Sequence, residues 1–377
     1  MTIRKLTLAL HRYMGVCAGV LVALSGLTGS LLVFRDELDA FLHPELLRVM
    51  PGDRLVPLQA VMETLRQTYP HDRPLYLRLP RTANGVYEVW MNAETGRRVY
   101  IDPYTGAILG ARLPIHTPMG FLLLLHTQLL SGEVGEIVIG LGALLLISLS
   151  VTGLVLWWPG RKKLLHGLRI KWRAGWKRLN YDVHKVVGIL AMGCLILTAA
   201  TGASMVFHGS FERTIHWLAA TPPSLPLPVS TVHRGTAPLA LDLIVRNANR
   251  ALPGAETTWI SLPLTPEAPV LVRKKFPQEI HPNGRTFIAL DQYSGAILRV
   301  ENALEAPLGT RILNLRYPMH IGRLGGLATR VVQVLVGLTP TVLFVTGLFI
   351  WWRKRRTKQR SRLTRPPTYT GALAGKP

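Results

Sequence analysis

The chain has 377 residues, 48% of them hydrophobic, and a formal net charge of +23. That charge does not point to nucleic acid: it crowds into a loop (Arg161, Lys162, Lys163, Arg169, Lys171, Arg173, Lys177, Arg178) and into the tail from Arg353 to Arg365, each directly behind an apolar run, with no nucleic-acid-binding motif beside it. Two cysteines, Cys17 and Cys194, are too few for an iron–sulfur cluster, and no C-x-x-C-H is present to attach a c-type haem.

Behind Arg4 and Lys5 comes HRYMGVCAGVLVALSGLTGSLLVF, from His11 to Phe34. It is long enough to cross a bilayer as a helix. It is also too long for a signal-peptide apolar core, and no small-x-small site follows cleanly, so residues 11–34 read as an uncleaved first span. Residues 35–125 read as a small α+β domain outside the membrane. Pro57 to Tyr69 is an amphipathic helix, and PLYLRLP, VYEVWM and RRVYID are strands separated by turns at AETG and PYTG. His126 opens an interfacial lead-in to the second span, residues 134–158, which ends VTGLVLWW; lead-in and span together cover 126–158. The terminal tryptophans fit an interfacial belt, and the basic loop 159–183 follows.

His184 opens the third span, HKVVGILAMGCLILTAATGASMVF, to Phe207. Residues 208–326 form a second outer α+β domain, with PLALDLIVRNANR as its helix, TTWISL, VLVRKKF and TFIALD as strands, and turns at HPNG and QYSG. The fourth span, 327–352, ends VTGLFIWW and leads into the basic tail 353–377, whose composition after Arg365 reads as disordered. Pro340, where the second span has Leu146, predicts a kink there.

The second half repeats the first. His11 matches His184, Thr28 matches Thr201, Gly29 matches Gly202, His126 matches His320, and YIDPYTGAIL at Tyr100 aligns with ALDQYSGAIL at Ala289 without a gap. The expected fold is an integral membrane bundle of four transmembrane helices with two outer α+β domains, related by an internal two-fold repeat. The basic loop and tail place both termini in the cytoplasm and the two domains outside.

Four histidines carry the chemistry. His11 and His184 share one depth; His126 and His320 share the other. A single interfacial histidine serves as readily for capping or lipid contact. Two symmetric pairs facing each other across a helical bundle are what a six-coordinate b-type haem needs. The stripe Gly15, Gly19, Ala23, Gly26 and Ser30 leaves room either for a flat macrocycle or for close helix packing. Of the other histidines, His208, at the end of the third span, is the best substitute ligand. His71, His233 and His281 are expected to be solvated. No dinucleotide-binding or phosphate-binding glycine motif is present, so electrons must come from a cytoplasmic partner, a soluble reductant or the quinol pool.

H-x-x-x-G with L-T-G or T-x-x-T-G, LHTQLLSGEVG at Leu125, HIGRLGG at His320, V-T-G-L-x-x-W-W and the D-x-Y-[ST]-G-A-I-L turns together resemble the PepSY-associated transmembrane proteins, over nearly the whole chain to about Arg355. Within that family the chain is similar to the iron-regulated inner-membrane reductases of the FoxB type. The resemblance implies two PepSY-like periplasmic domains and two b-type haems ligated through their iron by His11, His184, His126 and His320. It further implies reduction of a ferric siderophore in the periplasm with release of Fe(II). Two alternatives stay open: a non-enzymatic PepSY module that binds a partner or regulates a protease, and electron transfer to another periplasmic acceptor.

Overall fold

The computed structural model describes residues 2–92, 96–232 and 235–363; the AETG turn, His233 and the tail beyond 363 lie wholly or partly outside them. In chain order, α1 (Ile3–Leu32) is followed by α2 (Arg35–Leu42), α3 (Pro44–Leu47) and α4 (Leu58–Thr68), then by β1 (Pro74–Arg78), β2 (Tyr87–Met91), β3 (Arg98–Ile101) and β4 (Ile108–Arg112). α5 (Pro118–Gln128), α6 (Gly132–Trp157), α7 (Leu164–Gly167), α8 (Trp176–Val206), α9 (His208–Leu218) and α10 (Leu241–Ala251) come next. The chain closes with β5 (Glu256–Ser261), β6 (Val270–Lys275), β7 (Thr286–Leu290), β8 (Ile297–Glu301), α11 (Leu308–His320) and α12 (Gly326–Leu363).

Four helices, α1, α6, α8 and α12, are long and apolar enough to cross a membrane, which makes this a multi-pass membrane protein. Two of them start earlier than the apolar runs. α1 begins at Ile3 and α8 at Trp176, so His11 and His184 each sit eight residues inside a helix rather than at its edge. Hydropathy marks only the apolar stretch, whereas the helices also include the polar residues Arg4, Lys5, Lys177 and Arg178. α12 runs unbroken through Pro340.

The spans close a ring in which α1 packs on α12 and α6, and α8 on α6 and α12. α1 and α8 therefore occupy opposite corners. The small-residue stripe of α1 serves this packing. A Cβ built at Gly26 would lie 2.2 Å from the Gly337 carbonyl oxygen, and Ser30 Oγ donates to the Val334 carbonyl at 3.0 Å. Such close backbone approach replaces the hydrophobic drive that lipid removes.

The strands form one antiparallel sheet of eight, in the order β4-β3-β2-β1-β5-β6-β7-β8. The two outer segments, expected as separate domains, are thus one layer joined by β1–β5 pairing, with Leu77 opposite Ile260. α4 and α10 cover one face. Leu65, Leu77, Val89 and Val99 from the first half and Ile244, Ile260, Val272 and Ile288 from the second fill a common core, each such side chain contributing about 1.5–3 kcal/mol by burial. Asp242 on α10 accepts from the N–H groups of Leu58 and Gln59 at 2.8 and 2.9 Å, capping α4 from the other half. β4 and β8 lie at the sheet's edges; their half-exposed ILGAR and ILRVE lack strict alternation, which is why the sequence suggested three strands per half.

Alternation sends Tyr76, Arg78, Glu88, Trp90, Arg98, Trp259 and Arg273 to the other face. That face meets the helix bundle: Arg78 lies 3.6 Å from Asp36 on α2, Arg112 pairs with Asp39, and the His281 ring sits 5.4 Å from Tyr317 on α11.

Candidate cofactor site

The four histidines of the repeat meet in two pairs. His11 and His184 project from the opposite corners α1 and α8 with ring centroids 6.4 Å apart. His126 on α5 and His320 on α11 meet at 6.2 Å under the sheet. Ser25 and Thr28 of α1 receive His126, so the two layers lie 14 to 17 residues apart along that helix, about 21–26 Å at 1.5 Å per residue. Ala191, Leu195 and Val336 fill the space between them, with Leu146 and Leu343 packed alongside.

Each imidazole is seated by a Thr-Gly dipeptide on a neighbouring span. His11 Nδ1 is 2.9 Å from Thr152 Oγ1, and His184 Nδ1 is 2.9 Å from Thr346 Oγ1. Those hydroxyls already donate to the carbonyls of Ser148 and Val342 at 2.7 and 2.6 Å, so they accept from Nδ1–H. His126 Nδ1 bonds Thr28 Oγ1 at 3.0 Å and the Ser25 carbonyl at 3.1 Å; His320 Nδ1 bonds Thr201 Oγ1 at 3.2 Å and the Thr198 carbonyl at 3.0 Å. A carbonyl only accepts, so here too the proton is on Nδ1. Every ring is therefore held in the tautomer that leaves Nε2 with a free lone pair, and among the described residues no hydrogen bond engages those four Nε2 atoms.

The glycine of each dipeptide lets the ring lie flat against the helix. A Cβ built at Gly29 would stand 3.0 Å from His126 Cε1, at Gly202 3.1 Å from His320 Cε1, at Gly347 3.1 Å from His184 Cε1 and at Gly153 3.4 Å from His11 Cε1. The sequence singled out the histidines and the matched Thr-Gly pairs but gave the latter no role. The signal was present: one Thr-Gly per span, in register with the repeat.

These residues fit a haem. Imidazole nitrogen binds a first-row metal at about 2.0–2.1 Å and lies about 1.1 Å from its ring centre, so two axial imidazoles on one metal hold their centroids about 6.3 Å apart. Both pairs stand at that separation. Among the described residues no three His, Cys, Asp or Glu side chains group as a site for a bare metal ion, whereas a tetrapyrrole leaves iron needing two further ligands. The remaining described histidines stay apart. His208 is exposed at the start of α9, His71, His116 and His166 are exposed, and His43 lies beside Glu45. His216 is buried on Thr221. His281, expected to be solvated, is buried.

The sheet face above the His126–His320 layer is strongly basic. Burial alone would raise the Asp36 carboxyl, but Arg78, Arg81, Arg35 and Arg323 outweigh it and hold it below the usual carboxylate range. Burial, followed by Arg285, Arg273, Arg81 and Lys275, pushes His281 down to about 3, so it is neutral. Its Nδ1 accepts from the Asn283 N–H at 3.2 Å.

A family model described as the PepSY-associated TM region matches residues 8–354. Among curated proteins nothing matches the chain.

Proposed function

The chain belongs to the PepSY-associated transmembrane family, and from that premise we propose that it is a di-haem oxidoreductase of the bacterial inner membrane. In this reading it resembles the FoxB type: both termini are cytoplasmic, the sheet is periplasmic, and a ferric siderophore is reduced there. The observation that carries the proposal is the spacing of the two imidazole pairs, 6.4 and 6.2 Å, with every Nδ1 tied to a threonine on a neighbouring span. His11 with His184, and His126 with His320, would each hold one b-type haem. A bis-histidine haem supplies a one-electron centre with no open coordination position, suited to electron transfer rather than oxygen chemistry.

The chain's own residues do the rest. Thr152, Thr346, Thr28 and Thr201 fix the tautomers, and the adjoining glycines admit the rings. The apolar plug around Leu195 and Val336 keeps water out between the layers. We read the halves as two copies of one helix–domain–helix unit, which puts like residues at like depths. Reduction is useful because hard oxygen donors hold Fe(III) tightly and Fe(II) poorly, so one electron frees the metal. A PepSY module that merely binds a partner would have no use for paired, pre-oriented imidazoles. A reduced-minus-oxidised spectrum of the purified protein tests this. Two low-spin haems per chain are expected, and a chain that folds and purifies without haem sinks the proposal.

A further inference from the structure

The basic face over the His126–His320 layer holds more cations than its carboxylates can meet. Glu88 is taken by Arg78 and Arg98, each at 3.1 Å. Asp36 is shared by Arg78 and Arg323 at 3.6 Å and Arg81 at 3.9 Å. Glu279 is occupied by backbone N–H groups, of Arg285 itself, of Phe276 at 3.0 Å and of Thr286 at 3.3 Å. Arg273, Arg285 and Arg316 form no direct ion pair among the described residues, and Glu279 (for Arg273 and Arg285) and Glu212 (for Arg316) act on them only from further off. Arg285 Nε is buried with no hydrogen bond at all. Burial and the neighbouring Arg273 and Arg316 pull Arg285 down to about 10, and the opposing influence of Tyr317 and Glu279 does not make this up. Desolvated cations held together in this way are costly unless an anion joins them.

The surroundings are built for a ligand with an organic body. Arg273 is the cross-strand neighbour of Trp259, whose ring meets Trp90 edge-on at 5.1 Å. Arg316 is fixed by donating to the Ser204 carbonyl on α8 at 3.1 Å. Arg316 and Tyr317 lie within one turn of His320 on α11. The first half offers none of this. His126 matches His320, but the residues matching Arg316 and Tyr317 are Leu122 and Leu123, and the one matching Arg273 is Trp90. The basic face is therefore no requirement of the shared fold.

We propose that this face is the docking site of an anionic ferric chelate, with carboxylate or catecholate donors, held by Arg273, Arg285 and Arg316 and flanked by Trp259 and Tyr317, one helical turn from His320. This rests on the reading of the protein as a ferric-chelate reductase and commits that reading to a negatively charged acceptor. The same anionic chemistry could come from a lipid headgroup or from the carboxylates of a bound haem.

The test uses the full chain in phosphatidylcholine nanodiscs and the redox-inert anion gallium(III) citrate, titrated calorimetrically. Binding is expected to weaken with ionic strength. Arg273→Gln and Arg285→Gln should each weaken it about 10-fold or more, as loss of a charged hydrogen bond does. Arg285→Lys should retain most of it, and a cationic gallium trishydroxamate should bind at least about 10-fold more weakly than the citrate. Unchanged affinity in both glutamine variants would overturn the proposal. So would loss of haem in those variants with affinity intact, which would assign the arginines to haem carboxylates. Failure to bind in neutral discs, with arginine-dependent retention of phosphatidylglycerol, would assign them to a headgroup and overturn it equally. A haem-free chain that still bound gallium citrate would remove the reductase reading and leave the anion site standing.

Discussion

Replacing Thr346 by Val keeps the shape and the β-branch but removes the oxygen that accepts from His184 Nδ1 at 2.9 Å. Thr152→Val does the same to His11. The carbonyls of Leu149 and Leu343 also lie beside these rings, but only the threonine hydroxyls meet full hydrogen-bond geometry, so each substitution leaves a buried N–H poorly satisfied at a cost of up to about 1–3 kcal/mol. Removing an orienting partner of this kind weakens metal affinity about 10- to 100-fold. The layer under the sheet is better protected: without Thr28, His126 keeps the Ser25 carbonyl at 3.1 Å, and without Thr201, His320 keeps the Thr198 carbonyl at 3.0 Å. Thr28→Val and Thr201→Val should therefore cost about 1 kcal/mol or less, under about 10-fold. The assay is transfer of haem to excess apomyoglobin, with spin state followed by electron paramagnetic resonance. Equal haem retention in all four variants, or greater sensitivity under the sheet, would refute the argument that these hydroxyls orient the ligands.

His11→Ala or His184→Ala should lower haem content by about half, and so should His126→Ala or His320→Ala, while one substitution from each pair should remove nearly all of it by the pyridine haemochrome assay. Gly29→Ala puts a methyl group 3.0 Å from His126 Cε1 and Gly153→Ala one 3.4 Å from His11 Cε1; the first should lose more low-spin signal, in the range of about 1–3 kcal/mol for overpacking. Reporter fusions near Lys163 and at the chain's end should read cytoplasmic and those near Asn84 and Asn283 periplasmic; an outside tail would reverse the proposed direction of electron flow. Asp242→Ala frees the two N–H groups that start α4 and should cost about 1–2 kcal/mol, seen as faster hydrogen exchange in α4.

Much of this was legible because the repeat fixed depth. Matching His11 to His184 and His126 to His320 needs only a constant register, and a helix's fixed rise forbids any pairing across the layers. What the sequence did not disclose was long-range. Nothing local in PLYLR or ETTWIS says that these strands pair with each other rather than end two separate sheets, since either strand would be equally content as an edge. The edge strands β4 and β8 were invisible because, half-exposed on both faces, they carry no alternating pattern. Nor could periodicity show that Thr28 serves His126 while Thr152 serves His11, because that exchange depends on which spans are neighbours in the ring. His281 read as a loop residue; the arginines around it come from β6, the turn before β7 and the segment after β1.

The ring order also explains why the outer segments merge into a single sheet. In the layer near the termini, α1 and α8 carry the histidines and α6 and α12 carry the Thr-Gly seats, so the bundle alone sets the spacing. In the other layer the seats are on α1 and α8, but the histidines ride on α5 and α11, short helices that pack on different corners, α5 against α1 and α6, α11 against α8 and α9. β4 leads into α5 through a short turn of 3-10 helix at Pro114–His116, and β8 into α11 through residues 302–307. Two independent domains would let those helices shift separately, and the His126–His320 separation of 6.2 Å would follow neither. Pairing β1 with β5 over a common core makes α5 and α11 ends of one rigid layer, and Asp242 ties α10 to α4 across the same junction. A slip of that junction by one residue would turn Leu77 and Ile260 out of the core, so the register that buries them also holds His126 and His320 at their 6.2 Å separation.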